Sequence, residues 1–132
     1  MFDTNVLISA LLIPASKPRE ALDVALRTGT VLASVPLISE LHDVLTRKDF
    51  SRYIEEQDIL TFMAALSQET EFIEVRTTLN ACRDRKDNML LELAVGGQAT
   101  HLITGDADLL TMNPFRGIQI VTPGAFLELA RD

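Results

Sequence analysis

Tryptophan is absent and Tyr53 is the one tyrosine, so base stacking on aromatic side chains is not a major theme for this chain. Cys82 is alone and cannot build an internal disulfide framework, and no Cys/His cluster has zinc-finger spacing. That usage fits a reducing, cytoplasmic location. No window approaches roughly 20 uncharged apolar residues, which excludes a transmembrane helix and predicts no membrane partner. Met1-Phe2-Asp3 has neither a basic region nor a long apolar run, so no signal peptide or anchor is expected there. Linker-like Ser/Gly runs, repeats and low-complexity segments are also missing, and residues 1–132 read as one domain. No Ser-His-Asp or Cys-His arrangement and no glycine-rich phosphate loop is visible.

Basic residues are scarce as well: 12 Lys and Arg stand against 19 Asp and Glu, a net charge of −7. An evenly acidic surface repels nucleic acid, so where the carboxylates sit matters more than their sum. The apolar share is ample. With 132 residues and 47% hydrophobic content, folding should bury roughly 68–70% of the unfolded surface without a disulfide or structural metal.

Short β-branched runs alternate with longer helical patterns. Strands are expected at 31–34, 72–75, 101–104 and 118–121, each followed by helix-start chemistry, as in a parallel sheet covered on both faces. Helices are expected at 18–26, 36–45 and 55–66, with Ala21, Leu22, Leu37, Leu41, Ile59, Leu60, Met63 and Leu66 on apolar faces. Residues 87–95 form a helix that is apolar almost all round and ends at Gly96-Gly97. A last helix follows Pro123-Gly124. This order predicts an α/β fold, a three-layer α/β/α sandwich. One segment is out of proportion. Asp3 reads as the end of a first strand, yet a central strand needs about 4–6 residues. Either that strand is very short, or the sequence starts later than its relatives.

In an open α/β sheet, ligands bind beyond the carboxyl ends of the strands. Asp3 falls there, as does Glu40 in the helix after the second strand. Asp87 is expected at the N-cap of the apolar helix, with Asp84 as a rival cap, and Asp106 and Asp108 follow the 101–104 strand. Carboxylates gathered without Lys or Arg repel one another, and a hard divalent cation, Mg²⁺ or Mn²⁺, relieves that cost. Such a site suits phosphodiester hydrolysis, with one ion activating a water and a second stabilising the leaving oxygen. Each acid also has an ordinary reading: Asp3 and Asp87 as helix caps, Glu40 as a solvated helix residue, Asp106 and Asp108 as turn formers. Asn5 and Thr104 are candidates for orienting ligands or water, with local capping as the alternative. His42 falls about 200° round its helix from Glu40, and His101 reads as packing or surface. Arg83, Arg85 and Lys86, and the group Arg47, Lys48 and Arg52, are candidate phosphate contacts or solvated loop charges.

Four stretches carry a resemblance: Asp3-Thr-Asn-Val-Leu-Ile-Ser-Ala-Leu, Ser39-Glu-Leu, Arg83-Asp-Arg-Lys-Asp-Asn-Met-Leu-Leu-Glu-Leu-Ala and Leu102-Ile-Thr-Gly-Asp-Ala-Asp-Leu-Leu. Together they resemble PIN-domain proteins over nearly the whole chain, in particular the bacterial toxin components related to VapC-type toxins. The resemblance implies a central parallel sheet of about five strands and metal-dependent ribonuclease activity on single-stranded RNA. It implies that Asp3, Glu40, Asp87 and Asp106 are the four catalytic acids of a Mg²⁺ or Mn²⁺ site, with Asp108 as an additional ligand and Thr104 as the hydroxyl residue before them. It further implies a homodimer and a cognate antitoxin entering the active-site groove. The alternative is a catalytically silent module that binds RNA or a protein partner. A haloacid-dehalogenase-type phosphotransferase needs Asp-x-Asp after the first strand, where this chain has Asn5. A phosphoacceptor receiver needs a Lys after its last strand, where Val121-Thr122-Pro123 offers none. Setting aside the five candidate site carboxylates reduces the 19 acids to 14 against 12 bases, so the acidity is largely local.

Overall fold

Helices start in this chain where a short polar side chain follows an extended residue and can take a free amide of the first turn. In the computed structural model, which describes residues 1–47, 50 and 52–130, that happens repeatedly. Asp3 caps α1 (Thr4–Leu12) and Ser16 caps α2 (Lys17–Thr28), with Pro18 in its first turn. Strand β1 (Val31–Ala33) runs directly into Ser34, which caps α3 (Val35–Leu45) by accepting the Leu37 amide at 3.2 Å. Then come α4 (Glu56–Glu69), β2 (Thr70–Phe72) and α5 (Arg85–Gly96). The chain continues through β3 (His101–Ile103), the short α6 (Ala107–Leu110), β4 (Gln119–Val121) and α7 (Pro123–Ala130).

Among the described residues, all strand pairing is parallel except one isolated antiparallel bridge between Phe115 and Ile118. β1 pairs with β2, Val31 opposite Thr70, and β3 pairs with β4, His101 opposite Gln119. Phe2 forms a single parallel bridge to Ile103, held by Ile103 N–H to Met1 C=O and Asp3 N–H to Ile103 C=O, both 2.9 Å. The fold is therefore α/β. Among the described residues the strands form two separate pairs plus that bridge, rather than one continuous five-stranded sheet. The brevity has a local cause: at Asp3 and Ser34 the residue after the strand segment is already a helix cap, so pairing stops there.

Successive strand residues point to opposite faces, and the core divides accordingly. Val31, Ile103 and Phe2 pack with α1, α2, α3 and Leu127 of α7 on one side. Leu32, Leu102 and Ile120 pack with Leu91 and Leu93 of α5 on the other. Each such leucine contributes about 1.5–3 kcal/mol by burial.

Several expectations need correction. β2 begins at Thr70 rather than Phe72; residues 73–84 leave the strand as an irregular segment. Leu60 faces solvent at 49% exposure, because α4 is buried through Ile59 and Leu66 on a narrower stripe. Helix α5 starts earlier than expected, with Asp84 as its N-cap and Asp87 inside the first turn. Nor is α5 apolar all round, since Met89 is 36% exposed and Asn88 and Glu92 are buried. Gly97 ends α5 with an ordinary φ of −90°, and the left-handed residue is Gln98 at 55°. Gly97 is needed for close approach instead: a Cβ there would lie 2.8 Å from Leu32 Cδ1. Among the described residues, no helix is long and apolar enough to cross a membrane.

Candidate metal centre

Thr104 is the centre of the site's scaffold. It ends the β3 segment with no exposed surface, and its hydroxyl donates to Asp3 Oδ2 at 2.7 Å while accepting the Asp106 amide at 3.0 Å. One side chain thereby fixes the carboxylate that follows Phe2 and the backbone that carries the acid after β3. Asp3 is buried, and its other oxygen accepts the Asn5 amide at 3.3 Å, so this residue is both helix cap and groove acid. Asp106 caps α6 through Oδ1, which accepts the Asp108 amide at 2.9 Å.

Asp3, Glu40, Asp87 and Asp106 line one groove of about 570 Å³, together with Asn5 and Asp84. The cations lining it are Lys86 and Arg47. Lys86 Nζ stands 3.9 Å from Glu40 Oε1, while its amide is taken by Asp84 at 2.9 Å. The crowding shows in Asp87, whose carboxyl is pushed up to about 6. Burial is the largest cause, followed by the Asp106 and Asp84 charges, a hydrogen bond with Asp106, and the Asp3 charge.

Asp108 is not among the residues lining the groove. Its side chain is 74% exposed and stands 4.0 Å from Arg83, itself 95% exposed, a surface contact of little energy. The basic cluster therefore splits three ways: Arg83 faces Asp108, Arg85 binds Glu92 at 2.9 Å, and Lys86 faces Glu40. Of the other basic group, Arg47 lines the groove, Arg52 does not, and Lys48 lies outside the described residues. His42 is exposed beside Asp43, and His101 packs edge-on against Phe126 with ring centroids 5.8 Å apart.

Sequence reasoning missed two buried polar residues of α5. Asn88 Oδ1 accepts the amides of Ala81 and Cys82 at 3.0 and 2.8 Å, and its Nδ2 donates to the Cys82 carbonyl at 2.9 Å. Glu92 accepts the Leu79 amide at 2.8 Å and the Arg85 guanidinium at 2.9 and 3.4 Å. The Arg85 hydrogen bond, then the Leu79 amide, hold the Glu92 carboxyl below its ordinary range despite burial. Together they tie segment 73–84 to the helix that carries Asp87. The available signal was a pair of polar residues one turn apart in an apolar helix, next to an irregular segment whose amides need acceptors.

The donor set suits a hard divalent cation: the groove acids offer only oxygens, outnumber the nearby cations and raise the Asp87 carboxyl against one another. Among the described residues, no three His, Cys, Asp or Glu side chains are already set at coordinating positions. The acids thus fit such an ion in donor type and in shared groove, and coordination calls for side-chain adjustment.

The sequence profile of the PIN domain matches residues 1–108, a stretch that carries Asp3, Glu40, Asp87, Asp106 and Asp108. The chain belongs to the PIN-domain family. An uncharacterized protein of Methanocaldococcus jannaschii is 31% identical to it over 138 aligned positions, covering 97% of this chain and 88% of that relative. No solved structure gives a significant match. PIN domains are in general nucleases, and the acidic groove of this PIN domain is the feature that can serve such chemistry.

Proposed function

We propose that this PIN domain is a metal-dependent endoribonuclease that hydrolyses single-stranded RNA, as the toxin of a toxin–antitoxin pair. The observation behind the reading is the delivery of Asp3, Glu40, Asp87 and Asp106 by four separate segments to one groove. These four acids hold Mg²⁺ or Mn²⁺, one ion or two. When bound, such an ion lowers the pKa of a water and offsets charge on the leaving oxygen. The Thr104 hydroxyl and the Asn5 backbone amide keep Asp3 oriented, since each donates to one of its two oxygens. Asp108 adds a carboxylate at the rim, and Lys86, Arg47, Arg83 and Arg85 supply charge for phosphates.

Residues 1–132 are read as one nuclease unit, cytoplasmic and homodimeric, with a small cognate antitoxin. The two strand pairs are read as halves of one five-stranded sheet with the Met1–Phe2 segment at its centre; the Phe2–Ile103 bridge and the packing of Phe2 with Val31 support this. A second reading, a silent module that holds RNA or a protein partner without cutting, draws on one observation. Among the described residues, no three acids are yet set at coordinating positions.

Incubation of the purified protein with a varied single-stranded RNA pool separates the two. Nuclease action predicts cleavage with Mn²⁺ that EDTA stops, and a loss of roughly 100-fold or more in Asp3→Asn and in Asp106→Asn, with the fold retained. Intact RNA with Mn²⁺, together with no metal uptake by calorimetry, overturns it. A small antitoxin-like reading frame beside the gene distinguishes a toxin from a housekeeping nuclease.

A further inference from the structure

A second cavity, about 290 Å³, opens beside the acidic groove between the first turns of α3, segment 75–78 and α5. The two share a wall: Glu40, Lys86 and Leu90 line both. Their chemistry differs. The second cavity is lined by Pro36, Leu37 and Met89 on its apolar side, and by Arg76 and Arg85 among its charged residues. Its one further acid beyond Glu40 is Glu92, which Arg85 already compensates at 2.9 Å. Arg76 pairs with Glu74 at 3.3 Å, but both side chains are about four-fifths exposed (83% and 79%), so the pair is weak and leaves Arg76 able to meet another anion.

An apolar slot with arginines at its edge, joined to a groove suited to phosphodiester chemistry, matches one occupant by charge and by continuity. We propose that this cavity receives the base of a nucleotide next to the cleaved phosphodiester, with Arg76 and Arg85 meeting its phosphates. The inference rests on the ribonuclease reading and extends it to how the strand is held. The volume is close to the lower end of small-ligand sites, roughly 300–1,000 Å³, which suits a single base with its sugar. Met89 is the natural contact for the base face. It is apolar, 36% exposed, and its thioether packs favourably against an aromatic ring. The arginines can add planar stacking to charge, which lysine cannot. Arg85 is the better fixed of the two, because Glu92 holds its guanidinium in place.

The test uses short single-stranded RNAs with one cut site, each with an abasic residue at one flanking position, and Mn²⁺. With wild-type protein, base removal at one flanking position should raise KM about 10-fold while kcat changes little. Met89→Ala, at a surface position of α5, should shrink that penalty to about twofold. Arg76→Gln should raise KM for intact RNA about 3–10-fold with kcat retained, which tests the same cavity from the other wall. A structural role for Met89 would lower activity on all RNAs alike and leave the abasic penalty unchanged. If no flanking position shows a penalty that depends on Met89, the cavity does not hold a base, and the nuclease reading stands alone. If the varied RNA pool that should supply the cut site stays intact with Mn²⁺ and calorimetry shows no metal uptake, both fall together.

Discussion

Asp87 and Glu92 lie little more than one turn apart on α5 and are about equally hidden, at 6% and 5% exposure, yet their carboxyls are driven in opposite directions. Glu92 meets a guanidinium and a backbone amide, and is held below the ordinary carboxyl range. Asp87 meets Asp106, Asp84 and Asp3, and is pushed up to about 6. Burial acts on both; the neighbours decide the outcome. A carboxylate that holds the structure together is given a cation and donors within the protein. One crowded by like charges, as Asp87 is, has its ionised form disfavoured.

Removing each acid should break this contrast in opposite senses. The largest effect on stability is expected from Glu92→Ala, which strands the Leu79 amide and part of the Arg85 charge; chemical denaturation should show a loss of about 2–3 kcal/mol. Because the folded pKa of Glu92 is depressed, its contribution is present above pH 4.5 and fades as pH falls through the folded value. Asp87→Asn should instead stabilise the metal-free protein by about 1–3 kcal/mol at pH 7. The sign follows from its raised pKa. Between pH 3.8 and about 6 the folded state keeps a proton that the unfolded chain has released, so wild-type stability falls as pH rises through that window. Melting curves at pH 4 and pH 7 should show the variant's advantage at the higher pH alone. The smallest and most specific effect is a rise of a few degrees in wild-type Tm on adding Mn²⁺ at pH 7, absent in Asp87→Asn. A stabilised Asp87→Asn protein that still gains fully from Mn²⁺ would remove Asp87 from the ion's shell.

One side of this contrast is legible in the sequence and the other is not, for a physical reason. That Asp3, Glu40, Asp87 and Asp106 share one groove follows from strand ends collecting on one edge of an α/β fold, a global rule that needs only the order of elements. Asp108 has the same residue type and a neighbouring position, but a cap at Asp106 turns the next residues into a helix and leaves Asp108 at the surface. Asp84 took the cap expected of Asp87, since either acid fits the helix start and only packing chooses between them. Asn88 and Glu92 stayed hidden because periodicity registers apolar residues, whereas their value lies in amides of an irregular segment. Leu60 misled for the converse reason, being apolar at helical spacing but outside the stripe that α4 buries.

The Thr104 hydroxyl joins residues separated by 101 positions, and that bond has a bearing on when the groove can exist. During synthesis Asp3 emerges early, but neither the hydroxyl that orients it nor the Asp106 that faces Asp87 is available until β3 has been made and seated against Phe2. A chain that has not yet reached Thr104 carries Asp3, Glu40 and Asp87 without the hydroxyl that orients the first of them. The acidic groove is complete only once about four-fifths of the chain has been made.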